Sequence, residues 1–208
     1  MTTEPPPRQA PQRPAAAAAA LSDAARAAAS AWQQPAQPEA YGRAVSQLYS
    51  VLRDLGIAAR GLARYQVIPV PAGPPGRGFA QHVTTSAAWL LGACHSLDGV
   101  LAAEGLGPLP RTEEPGDLLC QAARDAITAW RQPSGTAADR DATAGQLITA
   151  IVFLSEATLG LAGNAPRHRT IDLYAVGAGL AEARVALATA IQHPAGQATR
   201  HHGRAAAG

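Results

Sequence analysis

The chain has 208 residues, with 17 basic and 15 acidic side chains and a formal net charge of +2, and its pI is near 8.8. That length suits one domain, or two small halves sharing a core. The charge is too evenly balanced for a dedicated nucleic-acid binder, which concentrates positive charge on one surface. All 17 basic residues are arginine, Asn164 is the single asparagine, and alanine, glycine and proline abound. This is the codon bias of a GC-rich bacterial genome, actinobacterial in character, so individual Ala and Arg choices carry little functional information.

Residues 1–14 hold prolines at 5, 6, 7, 11 and 14 and almost nothing to bury, which predicts a disordered, partly polyproline-II arm. No export signal is visible, because this start is polar and the alanine run after it is too weakly apolar. The longest strongly apolar run, residues 147–154, is far short of a membrane span. The expectation is a soluble, cytoplasmic protein with no membrane contact. Two cysteines, Cys94 and Cys120, make no disulfide framework and fit a reducing compartment.

Between the arm and a loose tail from 193 to 208, the chain reads as six helical segments, broken around Pro35, at 67–78, at 105–115, at 132–136 and at 163–170. In the second segment Tyr41, Val45, Leu48, Leu52, Leu55, Ala59 and Leu62 alternate at spacings of four and three, which forms one stripe on a helix. The third segment repeats this with Val83, Ala87, Leu90, Cys94, Leu97 and Leu101, and the sixth with Leu173, Val176, Leu180, Ala183, Leu187 and Ala190. The predicted fold is all-α, a six-helix bundle with shallow crossings.

The stretch Leu21–Pro35 matches Leu119–Pro133 at nine of fifteen positions, where an alanine-rich composition supplies about one to three by chance. With a one-residue shift the second stripe maps onto Arg140, Ala144, Leu147, Ile151, Leu154, Thr158 and Leu161, pairing Gln47 with Gln146 and Gly61 with Gly160. The expectation is a tandem duplication of a three-helix unit, residues 15–104 and 115–192, joined by a linker at 105–114. Trp32 and Trp130 continue the stripes of their segments. Pro35 and Pro133 then stop each helix, so each indole is expected to fill the corner of an antiparallel helical hairpin.

The halves diverge on their outward positions. Arg53, Arg60 and Arg64 correspond to Val152, Leu159 and Gly163, and Phe153 stands where Asp54 does. The fifth segment thereby gains a second apolar stripe of Ile148, Val152, Ser155 and Leu159. A helix apolar on two sides is buried on two sides, either as a central helix or at a subunit interface.

Arg53, Arg60 and Arg64, with Arg43 nearby, have a spacing that could track phosphates, although a solvated face is the plainer reading in a lysine-free chain. No helix-turn-helix spacing accompanies them. His95 beside Cys94 and Asp98 lacks a third and fourth metal ligand, and His193, His201 and His202 lie in the tail. The acids Glu39, Glu104, Glu156 and Glu182 are isolated, and there is no di-metal Glu-x-x-His pair, phosphate loop or nucleophile elbow. No catalytic, cofactor or metal site is therefore expected. Trp89 lies off its stripe, under a lid of Val67, Ile68 and Val70 or else as a contact site.

The function these features favour is a non-catalytic helical interaction or scaffold module. Its partner contact, to a second copy or another protein, would use Trp89, Ile148, Val152, Phe153 and Leu159. The alternatives are an accessory nucleic-acid-associated protein acting through Arg53, Arg60 and Arg64, and a ligand pocket between the two repeats.

Overall fold

The computed structural model describes residues 13–33, 38–68, 77–98, 100–101, 115–165 and 167–192. The N-terminal arm to residue 12, the linker at 105–114, the tail histidines, Val70 and Glu104 lie outside the described residues, as does the Glu39 side chain.

The described chain is all-α, with six helices: α1 (Pro14–Trp32), α2 (Pro38–Leu62), α3 (Arg77–Ser96), α4 (Pro115–Ala129), α5 (Ala137–Asn164) and α6 (Arg167–Gln192). Three of them start on proline, whose fixed φ suits a first turn and whose missing N–H would have had no helical partner there. A capping box starts α5. The Thr136 hydroxyl accepts from the Asp139 N–H, and the Asp139 carboxylate accepts from the Thr136 N–H. The Thr136 hydroxyl also donates to that carboxylate at 2.7 Å; these side-chain and then backbone bonds hold Asp139 below the usual carboxylate range.

The apolar stripes face one continuous core. From Tyr41 to Leu62 and from Leu173 to Ala190 every stripe position is buried, and Trp32 and Trp130 are buried with them. In cyclic order α1, α5, α6, α3, α2, α4, each helix packs mainly on its two neighbours, and the ring closes through α4 against α1.

This order corrects one expectation. Consecutive helices α1 and α2 do not form a packed hairpin, nor do α4 and α5. Instead α2 runs parallel to α4. Near their starts the Cys120 thiol approaches the Gln47 carbonyl at 3.6 Å, and at their ends Gly61 lies against the Trp130 carbonyl. On the other side, Gly160 of α5 lies against the Trp32 carbonyl that ends α1. A glycine at each of these points lets two backbones approach closely. Each indole therefore sits beside a helix from the other part of the chain, not at the corner of its own hairpin.

Because α2 and α4 end together, the segments leaving them run side by side. Gln66–Val67 (β1) and Ser134–Gly135 (β2) form a short parallel ladder, with bonds from Gln66 N–H to Pro133 O at 2.9 Å and from Ile68 N–H to Gly135 O at 2.7 Å. The sequence carries no alternating pattern long enough to signal it. By contrast α2 and α3 run antiparallel: the Cys94 thiol meets the Tyr49 carbonyl at 3.6 Å, and Gly56, about two turns further along α2, faces Leu91 and Ala87.

Candidate functional site

The arginines come first. Arg53 places Nε and Nη2 at 3.1 and 3.0 Å from one oxygen of Asp54, and Asp54 is itself buried. Arg53 therefore compensates a buried carboxylate, which would otherwise be costly to hold away from water. Arg60 is exposed on the same outward line of α2, with the half-exposed Ile57 between it and Arg53, and Arg64 is exposed in the turn that follows the helix. The structure thus keeps Arg53 and Arg60 on one line but neutralises Arg53.

The cysteines point inward on either flank of α2. Burial pushes both thiols up to about 11, with the Asp98 charge the next contributor for Cys94 and a lowering by Arg124 for Cys120. His95 and Asp98 are 3.4 Å apart with side chains 81% and 55% exposed, and the Asp98 charge reaches the buried Cys94 thiol, but Cys94 points into the core while His95 points to the surface. Among the described residues no three metal-donor side chains gather. The thiolate, the reactive form, is correspondingly scarce. At pH 8 both thiols are expected to alkylate with iodoacetamide roughly 100-fold more slowly in the folded protein than in guanidinium. A thiol that reacts at the denatured rate without denaturant would refute this placement.

The apolar surface is more informative. Trp89 is 44% exposed; of its expected lid, Ile68 is itself exposed and Val67 half-buried. On α5, Ile148 and Phe153 pack against the core, Val152 is half-buried and Leu159 is 56% exposed. The Arg26 guanidinium lies 5.1 Å from the centre of the Phe153 ring, a cation–π contact that ties α1 to the flank of α5. The second stripe is thus covered at its α5 start and open toward its end.

Sequence reasoning missed the continuation of this face. On α6, Ile171, Tyr174 and Val185 are 74%, 58% and 54% exposed, with exposed Ala178 and Ala181 completing a line at spacings of three and four. That line lies opposite the buried stripe of α6, and since α5 and α6 pack together, their outer surfaces adjoin. The spacing was readable, but two alanines dilute it to a weak signal. By length and composition alone α5 and α6 are also apolar enough to cross a membrane, and 44% and 39% of their apolar windows are buried in the core. Core packing therefore accounts for under half of each window, and the remainder includes this outward face.

The contrast with α2 and α3 sharpens the point. Their outward positions are mixed: Arg53 and Arg60 on α2, Arg64 just past its end, and Gln81, Thr84, Thr85 and His95 on α3 are exposed, together with Ile57 and Trp89. The outer side of α5 and α6 carries more exposed large apolar side chains, Leu159, Ile171, Tyr174 and Val185. A contiguous apolar face on a folded domain is the ordinary signature of a contact surface. In comparison with known proteins, the chain matches no family model, no curated protein and no solved structure.

Proposed function

We propose that the chain is a non-catalytic helical interaction module, built from two tandem three-helix units, residues 15–104 and 115–192, and that the outer face of α5 and α6 is its contact surface for protein. The observation that carries this reading is the exposure of Leu159, Ile171, Tyr174 and Val185 on one helix pair, where the α2 and α3 pair presents only Ile57 and Trp89 among the described exposed large apolar side chains. The duplication is supported by the nine identities around the two tryptophans, and by the way Gly61 meets Trp130 while its sequence counterpart Gly160 meets Trp32. The two free, buried thiols fit a reducing compartment.

The test compares the tagged chain with a Leu159→Arg/Tyr174→Arg variant as bait in lysate of the native organism, read by quantitative mass spectrometry. Both positions are exposed, so the variant should keep its circular dichroism and its melting curve. The expected result is loss of the proteins retained by the wild-type chain, copies of the chain itself included. A variant that retains the same proteins, or a wild-type chain that retains none above background, would reject the reading.

A further inference from the structure

Independently of the outer face of α5 and α6, we infer that the seat of α1 on α4 and α5 also accepts the α1 of a second copy of this chain, so that two copies associate by exchanging their first helices. The surface involved is the inner one on which α1 already lies, and its occupant is a helix of known sequence.

The packing order carries this. α1 packs on α5 and α4 and forms no packed hairpin with α2, the helix to which it is joined. The second part of the chain repeats the arrangement, because α4 packs on α2 and α1 and not on α5, which follows it. Each of these two helices is thus seated on elements from the other part of the chain, as in an intertwined dimer whose subunits have been joined into one chain. Exchange between copies reproduces a contact that the single chain makes twice.

The specific contacts of α1 survive the exchange. The Pro14 carbonyl accepts from Trp130 Nε1–H at 3.1 Å, the Arg26 guanidinium lies 5.1 Å from the centre of the Phe153 ring, and the Trp32 carbonyl lies against Gly160. None of these partners belongs to α2 or α3. The closed monomer and the exchanged dimer therefore differ in the course of the connection between α1 and α2, and hardly in packing.

α1 is also a helix that can leave. Apart from Leu21 and Trp32, its buried side chains are alanines and one serine, each of which removes little apolar area from water. Its detachment is a local opening that costs less than global unfolding.

The connection sets the balance. From Trp32 to Pro38 the chain takes six residue steps, about 20 Å at full stretch. It bridges two helices that flank α4, and with roughly 8–10 Å between neighbouring axes in a ring, theirs are about 15 Å apart. The corresponding bridge from Trp130 to Ala137, past α1, takes seven steps. The closed form is within reach by a small margin, and short hinges are what turn a closed chain into an exchanged dimer.

The test is sedimentation velocity on the full chain, with hydrogen exchange read on peptides from α1. Refolded from guanidinium at about 300 µM, where encounter competes with closure, the wild type should yield a dimer fraction that persists on dilution, since its return to monomer requires α1 to leave its seat. Deleting Gln34, Pro35 and Ala36 leaves three steps, about 10 Å, too short to close. That variant should be dimeric at low concentration, with α1 as protected as in the wild-type monomer. Inserting four glycine and serine residues after Gln34 should instead cut the dimer yield of the refolded chain about tenfold. A deletion variant that stays monomeric or unfolds, a dimer with unprotected α1, an insertion without effect, or a wild type that refolds without dimer each overturns the inference. Leu159→Arg/Tyr174→Arg should leave the exchange untouched. If that double variant abolishes the dimer, the outer face made it, and the exchange falls while the proposed function gains support. If the exchange is seen and the outer face captures no protein, only the proposed function falls.

Discussion

Replacing Trp130 with alanine is expected to lower stability by about 3–5 kcal/mol, the usual cost of emptying a large buried aromatic site, and to lower the melting temperature by roughly 10 °C or more for a chain of this size. The ring is fully buried directly after the last residue of α4. Its Nε1–H donates to the Pro14 carbonyl at 3.1 Å, so one side chain joins the end of α4 to the first residue of α1. Few neighbours can collapse into the space, since the α1 and α4 stripes beside it are largely alanine. Trp130→Phe separates the two contributions, because it keeps most of the ring but drops the N–H; its expected cost includes about 1 kcal/mol for the lost hydrogen bond. Guanidinium unfolding followed by circular dichroism reads both variants. A Trp130→Ala loss under about 1 kcal/mol would mean that the ring fills no core site of the kind that large-to-small substitutions empty.

The stripes that predicted the helices were local information, and they were read correctly. Val45, Leu48, Leu52 and Leu55 are all fully buried because apolar residues at spacings of three and four can share only one side of a helix. Which helix meets which was another matter. The match of Gly61 to Gly160 was visible in the sequence, yet nothing local says that each glycine exists to admit a carbonyl from a distant helix. The assumption that neighbours in sequence pack as hairpins filled that gap, and α1 against α5 overturned it. Asp54 was read only as the counterpart of Phe153; its burial depends on the adjacent Arg53 folding back over it at 3.0 Å, a contact with no periodicity to announce it. Arg140 had been placed at the head of a core stripe. Its guanidinium lies 4.6 Å from the centre of the Phe79 ring and 2.8 Å from Asp141, so the stem packs while the charge finds partners. The candidate face was half legible. Leu159 and Val152 stood out because arginines occupy the matching positions, whereas Ile171, Tyr174 and Val185 were hidden among alanines that could belong to either side of α6.

Gly61→Ala is expected to destabilise the fold by about 1–3 kcal/mol, the range for forcing extra atoms into packed space, although glycine-to-alanine in a helix otherwise gains up to about 1 kcal/mol. A methyl group on Gly61 would run into the Trp130 carbonyl oxygen, with the Trp130 carbonyl carbon only 3.0 Å away. These are backbone atoms, so no side chain can swing aside, and α2 and α4 must part. Two comparisons fix the sign. Gly177→Ala and Gly145→Ala meet open space and should be stabilising. Gly160→Ala meets the Trp32 carbonyl at 3.2 Å and Gln33 Cα at 3.3 Å, a tight but yielding contact, and should fall between them. The order Gly61→Ala, Gly160→Ala, Gly177→Ala from least to most stable, measured by chemical unfolding, is what close parallel packing of α2 on α4 requires. If Gly61→Ala were as stable as Gly177→Ala, the two helices could not approach as described, and the exchange of neighbours between the two parts of the chain would lose its physical basis.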